Sequence, residues 1–274
     1  MAHAVARPDD VRTVGLISYL LFAFGMAWGL IALWLWIPET LTRVVGPLSG
    51  HNPLFILAVY APAISAILHV LMNGGVSGLG RFLGRLGRWR CNPAWYAVLL
   101  LGIPAIYYAG AFVKGGAGAF GMPFDSIGAA FSAFALAAVI GPVEEFGWRG
   151  MALPVLQRLM APIWAGLVLG AIWGLWHLPA FWIAGTPQSA WDFSPFLLGS
   201  VAVSVVVTPM FNDSRGSILL PALFHWQLNN PIFPDAQPYD TPLFVVLAVA
   251  VVWLNRDKMF RRDGAVTRVI PERG

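Results

Sequence analysis

The sequence predicts an all-α, polytopic integral membrane protein, with about eight transmembrane helices enclosing a catalytic cavity within the membrane. Three observations lead there. Hydrophobic residues make up 58% of the 274 and charged ones only 11%, with a mean hydropathy of +0.70; a soluble domain keeps about a quarter of its residues charged. The apolar residues gather into segments at roughly 14–38, 53–73, 95–113, 127–148, 163–183, 196–211, 217–230 and 242–255, against the roughly 20 residues that a straight span needs. Finally, the basic residues alternate with those segments. Counting turns in order, all of the 17 Lys and Arg except Arg43 and Lys114 fall on one side. The positive-inside rule makes that side cytoplasmic and places both termini there.

The elements are taken in chain order. Residues 1–12 and 257–274 read as short cytoplasmic tails flanking a single membrane domain, 1–274. The first apolar run lacks a small-residue cleavage site and is too long for a signal-peptide core, so it reads as an uncleaved span. GRFLGRLGRWR (80–90) has Arg81, Arg85 and Arg88 on one helical face. It reads as a topogenic basic loop, its glycines weakening the alternative of an interfacial helix on anionic lipid. KGGAGAFGMP (114–123) lacks the lysine-serine end of a phosphate-binding loop and reads as a turn. The last three segments are short for spans, which is tolerable where helices line an enclosed cavity. The net charge of +4 follows from topology and calls for no nucleic acid. The lone Cys91 excludes an internal disulfide and a multi-cysteine metal site.

Of the 13 acidic residues, eleven fall in tails or loops, and only Glu144 and Glu145 lie in or at the edge of a span, at the cytoplasmic end of the fourth. A charge at the bilayer centre costs about 2.5–3.5 kcal/mol on insertion scales, so two together imply compensation or function. Arg149 is one helical turn beyond Glu145 and can pair with it. Glu144 projects about 100° away and is left for another task. Among the histidines, His3 and His51 read as solvated and His69 as a satisfied core residue. His177 comes one turn after Trp173 in WGLWHLP, and His225 shares a helical face with Asn229 in HWQLN.

One carboxylate, two imidazoles and an amide on three spans supply the parts for hydrolysis. Glu144 can take a proton from water, and His225 with Asn229 can donate to an oxyanion. The same Glu144, His177 and His225 could hold zinc, and spacing does not decide between these chemistries. There is no HExxH or GxSxG, and no repeat that would suggest the related halves of a transporter.

EEFGWR (144–149) resembles the EExxxR signature of the CAAX-protease and bacteriocin-processing family of intramembrane proteases, which includes the Rce1-type prenyl proteases. WGLWH (173–177) resembles that family's FxxxH motif, with Trp173 where Phe is usual, and HWQLN (225–229) its HxxxN motif. The three stand in the family's order within residues 128–231. The resemblance implies that Glu144 activates water with help from His177, that Glu145 and Arg149 support it, and that His225 and Asn229 stabilise the oxyanion. The aromatic character at Trp173 implies retained packing.

Residues and resemblance together imply an intramembrane endopeptidase acting on a membrane-associated or lipidated protein or peptide from the cytoplasmic side. A metal-free, glutamic mechanism is favoured over a zinc-dependent one. The short termini suit a bacterial plasma membrane. The alternatives are a non-catalytic scaffold or bacteriocin-immunity protein with the same fold, and a proton-coupled transporter using Glu144 and Glu145.

Overall fold

A computed structural model describes residues 10–49, 52–120, 124–184 and 186–273. His3 and His51 lie outside them, as do Arg7 and Asp9. Helices and turns account for all regular structure among the described residues.

Each apolar segment becomes helix. The chain crosses as α1 (Gly15–Trp36) and, after a short α2 (Pro38–Val45), returns as α3 (Pro53–Leu83). The third crossing joins α4 (Pro93–Ala97) through one π-turn to α5 (Ile103–Gly115). The fourth is broken: α6 (Ile127–Val139), a 3-10 turn, α7 (Glu145–Gly147), a π-turn and α8 (Leu153–Leu159). Then come α9 (Pro162–Trp176), α10 (Phe193–Asp213), α11 (Leu219–Leu228), α12 (Asp240–Leu254) and α13 (Arg256–Met259). The starts are set locally. Asn52 and Asn92 accept N–H bonds from Leu54 and Ala94 at 2.9 Å, each followed by proline at the first helical position.

Six of these crossings are long and apolar enough to span a membrane among the described residues. The sixth predicted segment, short in the sequence, extends to the 21 residues of α10, whereas α11 has 10 and α12 has 15. The protein is an integral membrane protein by these helices. The tightest packing joins α9 to α10. Gly166, Gly170 and Gly174 recur every turn, and a Cβ on Gly170 would lie 2.6 Å from the Val201 Cα. Without a hydrophobic drive between helices in lipid, such close backbone approach is what holds them.

The ends divide the molecule into two faces. One carries the turns at 84–92, 160–161 and 214–218 together with residues 10–14 and 255–273; the other carries, of the described residues, 37–49, 52, 116–120, 124–126, 183–184, 186–192 and 229–239. Nearly all Lys and Arg among the described residues lie on the first, here called the basic face, as the alternation in sequence predicts.

One expectation about that face is corrected. Segment 80–90 is a loop only in part: α3 runs to Leu83, a 3-10 turn covers Gly84–Gly87, and only Arg88–Arg90 lack regular structure. Arg85 is fully buried and donates to the carbonyls of Gly216 (2.6 Å), Gly150 (2.6 Å) and Val269 (3.0 Å). Arg81 donates to the Pro271 carbonyl, and Arg88 to that of Arg215. A guanidinium offers five donors in a fixed fork, so it can tie several chain segments at once.

The described residues of the two tails bond to each other. Asp10 is buried; its Oδ1 accepts from Val11, Val269 and Ile270 N–H, and its Oδ2 from Arg158 at 2.7 Å. Residues 264–271 thereby close over the basic face. In the Gly-rich turn, Gly116–Phe120 form a 3-10 turn, and Lys114 before it pairs with Asp235 at 2.7 Å. Residues 121–123 lie outside the described ones. His69 is satisfied as expected, Nδ1 donating to the Ser65 carbonyl and Nε2 lying 2.8 Å from Ser18 Oγ.

Candidate active site

The fourth crossing is built to interrupt itself. Ile140 is extended, Gly141 has φ +89°, and Pro142 opens a single 3-10 turn that carries Glu144. A Cβ at Gly141 would fall 2.1 Å from Asn229 Nδ2 and 2.9 Å from His225 Nε2. Both the positive φ and this approach demand glycine. The break also frees the Ile140 carbonyl, which accepts from Asn229 Nδ2 at 3.4 Å.

The adjacent glutamates face different partners, as their angular separation predicts. Glu145 Oε1 accepts from Arg149 Nη1 at 2.7 Å and from His225 Nδ1 at 2.8 Å, all three groups being buried. Arg149 also lies 4.7 Å above the Trp173 ring. Glu144 Oε2 accepts two indole N–H bonds, from Trp148 at 3.1 Å and from Trp173 at 2.9 Å, and stands 4.0 Å from His177 Nε2. His177 Nδ1 donates to the Trp173 carbonyl at 2.8 Å. In the neutral ring this leaves a lone pair on Nε2, facing the carboxylate across a gap too wide for a direct bond.

Glu144, Trp173, His177, His225 and Asn229 line one cavity of about 600 Å³. Its floor is polar, and its walls are apolar, with Ala27, Ile31, Phe55, Leu136 and Ala137 among them. Rings pack the floor edge to face: Trp173 lies 5.4 Å from the His177 ring and 5.3 Å from that of His225. All seven candidate residues are thus brought together, Glu145 and Arg149 behind the cavity and the others on its surface.

His225 bonds to Glu145, so the HxxxN pair is tied to the supporting carboxylate. Of the three zinc candidates, His225 gives Nδ1 to Glu145 and Glu144 accepts two indole N–H bonds at Oε2, so an ion held there would have to take Glu144 Oε1 and the Nε2 atoms of His177 and His225. Among the described residues no group of three His, Cys, Asp or Glu could hold a metal ion. Lastly, Glu144 does not sit at the end of its span. Residues 145–159 continue beyond it to the basic face, and the cavity opens toward the other face, through Thr186, Gln188, Trp191 and Asp235.

Residues that sequence reasoning passes over include Gly141, Pro142 and Trp148. A signal for Trp148 is present, since it stands four residues after Glu144, as Arg149 does after Glu145. Sequence gives Trp173 a packing role alone, although its N–H is the feature that a phenylalanine lacks.

Residues 126–230 match the sequence model of the family described as Type II CAAX prenyl endopeptidase Rce1-like. The chain is also similar to CAAX prenyl protease 2 of Methanococcus maripaludis, 28% identical over 132 residues, which is 44% of this chain and 49% of the relative. The chain therefore spans about half the length of the curated relative it matches.

Proposed function

We propose, from the match of residues 126–230 to the Rce1-like family model, that this protein is an intramembrane endopeptidase of the CAAX-protease type, hydrolysing a peptide bond in a membrane-associated protein or peptide. The observation that carries the reading is the placement of Glu144 and His177 across 4.0 Å on the floor of an otherwise apolar chamber. A water between them would donate to the carboxylate and to Nε2 together. Glu144 then acts as general base, within the reach that proton transfer needs, and His177 orients the water.

His225 and Asn229 serve the developing oxyanion. His225 donates from Nε2 only when its ring carries both protons, and the Glu145 carboxylate at Nδ1 faces that form. Asn229 Nδ2, which donates to Ile140 at a long 3.4 Å, can turn to a substrate oxygen at little cost. Arg149 keeps Glu145 in place and offsets its charge. None of these steps passes through a metal.

The test is Glu144→Gln in purified protein offered a membrane peptide library, with products mapped by mass spectrometry. Cleavage by the parent and loss of cleavage in a folded variant support the reading; undiminished cleavage by the variant overturns the base assignment. Absence of cleavage in the parent would favour the scaffold alternative. Inactivation by a chelator, reversed by zinc, would replace the glutamic mechanism with a metal-dependent one.

A further inference from the structure

The catalytic chamber and the positive charge lie on opposite faces. The lining comes from the late part of α1 (Ala27, Ile31), the first turns of α3 (Phe55, Ala58) and the turns at 186–191 and 230–237. None of it comes from the turns of the basic face. Beyond the glutamates, the chain from Met151 to Leu156 is buried and packed, and Arg85 ties the Gly150 carbonyl to residues 216 and 269. The basic end is a plug of bonded chain, and the other end holds the opening.

Charge then orients the molecule. The basic face gathers Arg81, Arg85, Arg88, Arg90, Arg158 and Arg215 in or beside short turns, and the 256–273 segment adds more. Short basic loops resist translocation, and they set orientation in the positive-inside rule. The mouth face has Arg43 and Lys114 against Glu39, Asp125, Asp192, Asp235 and Asp240. Lys114 is held by Asp235, which also accepts from the Trp191 indole at 3.2 Å.

From these two facts we infer that the chamber takes its substrate from the extracytoplasmic side. Its substrate is a membrane-proximal peptide segment, neutral or basic at the acid-rimmed mouth, of a protein anchored in the same membrane. A lipidated tail presented in the cytoplasm would meet the closed, arginine-rich end. That the occupant is a substrate rests on the proposed hydrolysis; the direction of entry does not.

Sided thiol labelling tests this without using catalysis. In a Cys91→Ser background, single cysteines are placed at the exposed rim (Ser189→Cys), in the chamber wall (Ala133→Cys) and on the basic face (Asp263→Cys). Each is first shown to react in detergent. In intact cells, a membrane-impermeant maleimide should label Ser189→Cys and Ala133→Cys, while Asp263→Cys reacts only after permeabilisation. The reverse pattern overturns the inference, as does an Ala133→Cys thiol that waits for permeabilisation. If the labelling holds and Glu144→Gln still cleaves, the base assignment fails while the direction of entry stands.

Discussion

Two buried polar clusters lie at different depths along the fourth crossing, and they use their charges differently. At the basic face, Arg85, Arg158 and Asp10 bond mainly to backbone, to the carbonyls of Gly216, Gly150, Val269, Thr267 and Val11 and to the amides of Val269 and Ile270, and Arg158 also pairs with Asp10. At the chamber, Glu144 is held from behind by two indoles yet meets His177 only at 4.0 Å. Glu145 Oε2 and Arg149 Nη2 are buried with no partner among the described residues. A cluster that binds chain segments saturates its valences, because every unmet buried atom costs about 1–3 kcal/mol. The second cluster is less saturated: the gap between Glu144 and His177 leaves room for a reacting group, while the unmet atoms of Glu145 and Arg149 lie behind the cavity.

Mutations can break this comparison. The largest expected effect is on catalysis: Glu144→Gln should lower cleavage by about 10³-fold, in the range for loss of a general base, with the melting temperature in detergent little changed. A comparable fall in stability would make Glu144 a structural group like Asp10.

Next comes Gly141→Ala. Its Cβ would collide with Asn229 and His225, and its backbone would enter the left-handed region at about 1–2 kcal/mol. We expect activity to fall about 100-fold, as a misplacement near 1 Å can do, whereas Gly25→Ala, with nothing within 4 Å of the new carbon, should be silent.

At the basic face the expected balance reverses. Arg85→Leu leaves three carbonyls unmet and should cost roughly 3 kcal/mol of stability, measured by denaturation in mixed micelles, with cleavage per folded molecule preserved. Loss of activity without loss of stability would dissolve the distinction between the clusters.

Trp173→Phe is a finer probe. It keeps the ring and removes one N–H to a carboxylate, a bond worth about 1.5–3 kcal/mol. kcat should fall about tenfold or more with KM nearly constant, because the chamber wall is unchanged. The smallest effect belongs to Lys114→Met. Its pair with Asp235 is solvated on both sides, at 38% and 51% exposure, and such a pair contributes at most about 1 kcal/mol.

Much of this is legible in the residues. The apolar runs, alternating basic turns and the polar residues that stay within those runs yield the helices, the two faces and all seven site positions. Glu145 with Arg149 follows from helical spacing alone. The corrected expectations share one cause. The usual habits of charged residues at chain turns would expose Arg85 and Asp10, whereas their burial depends on segments 131 and 260 positions away. Helical spacing pairs His225 with Asn229, while the packing of α11 against α7 gives it Glu145 as a further partner.

By itself, then, the sequence determined which segments form apolar helices, which face holds the positive charge, and which polar residues remain among those helices, since hydropathy, charge and helical period are local properties. Only the tertiary structure decided that the helix breaks at Gly141, that two indoles hold Glu144, and that the chamber opens away from the arginines. Those depend on how helices distant in sequence pack against one another, and the direction in which a cavity opens is a property of that packing.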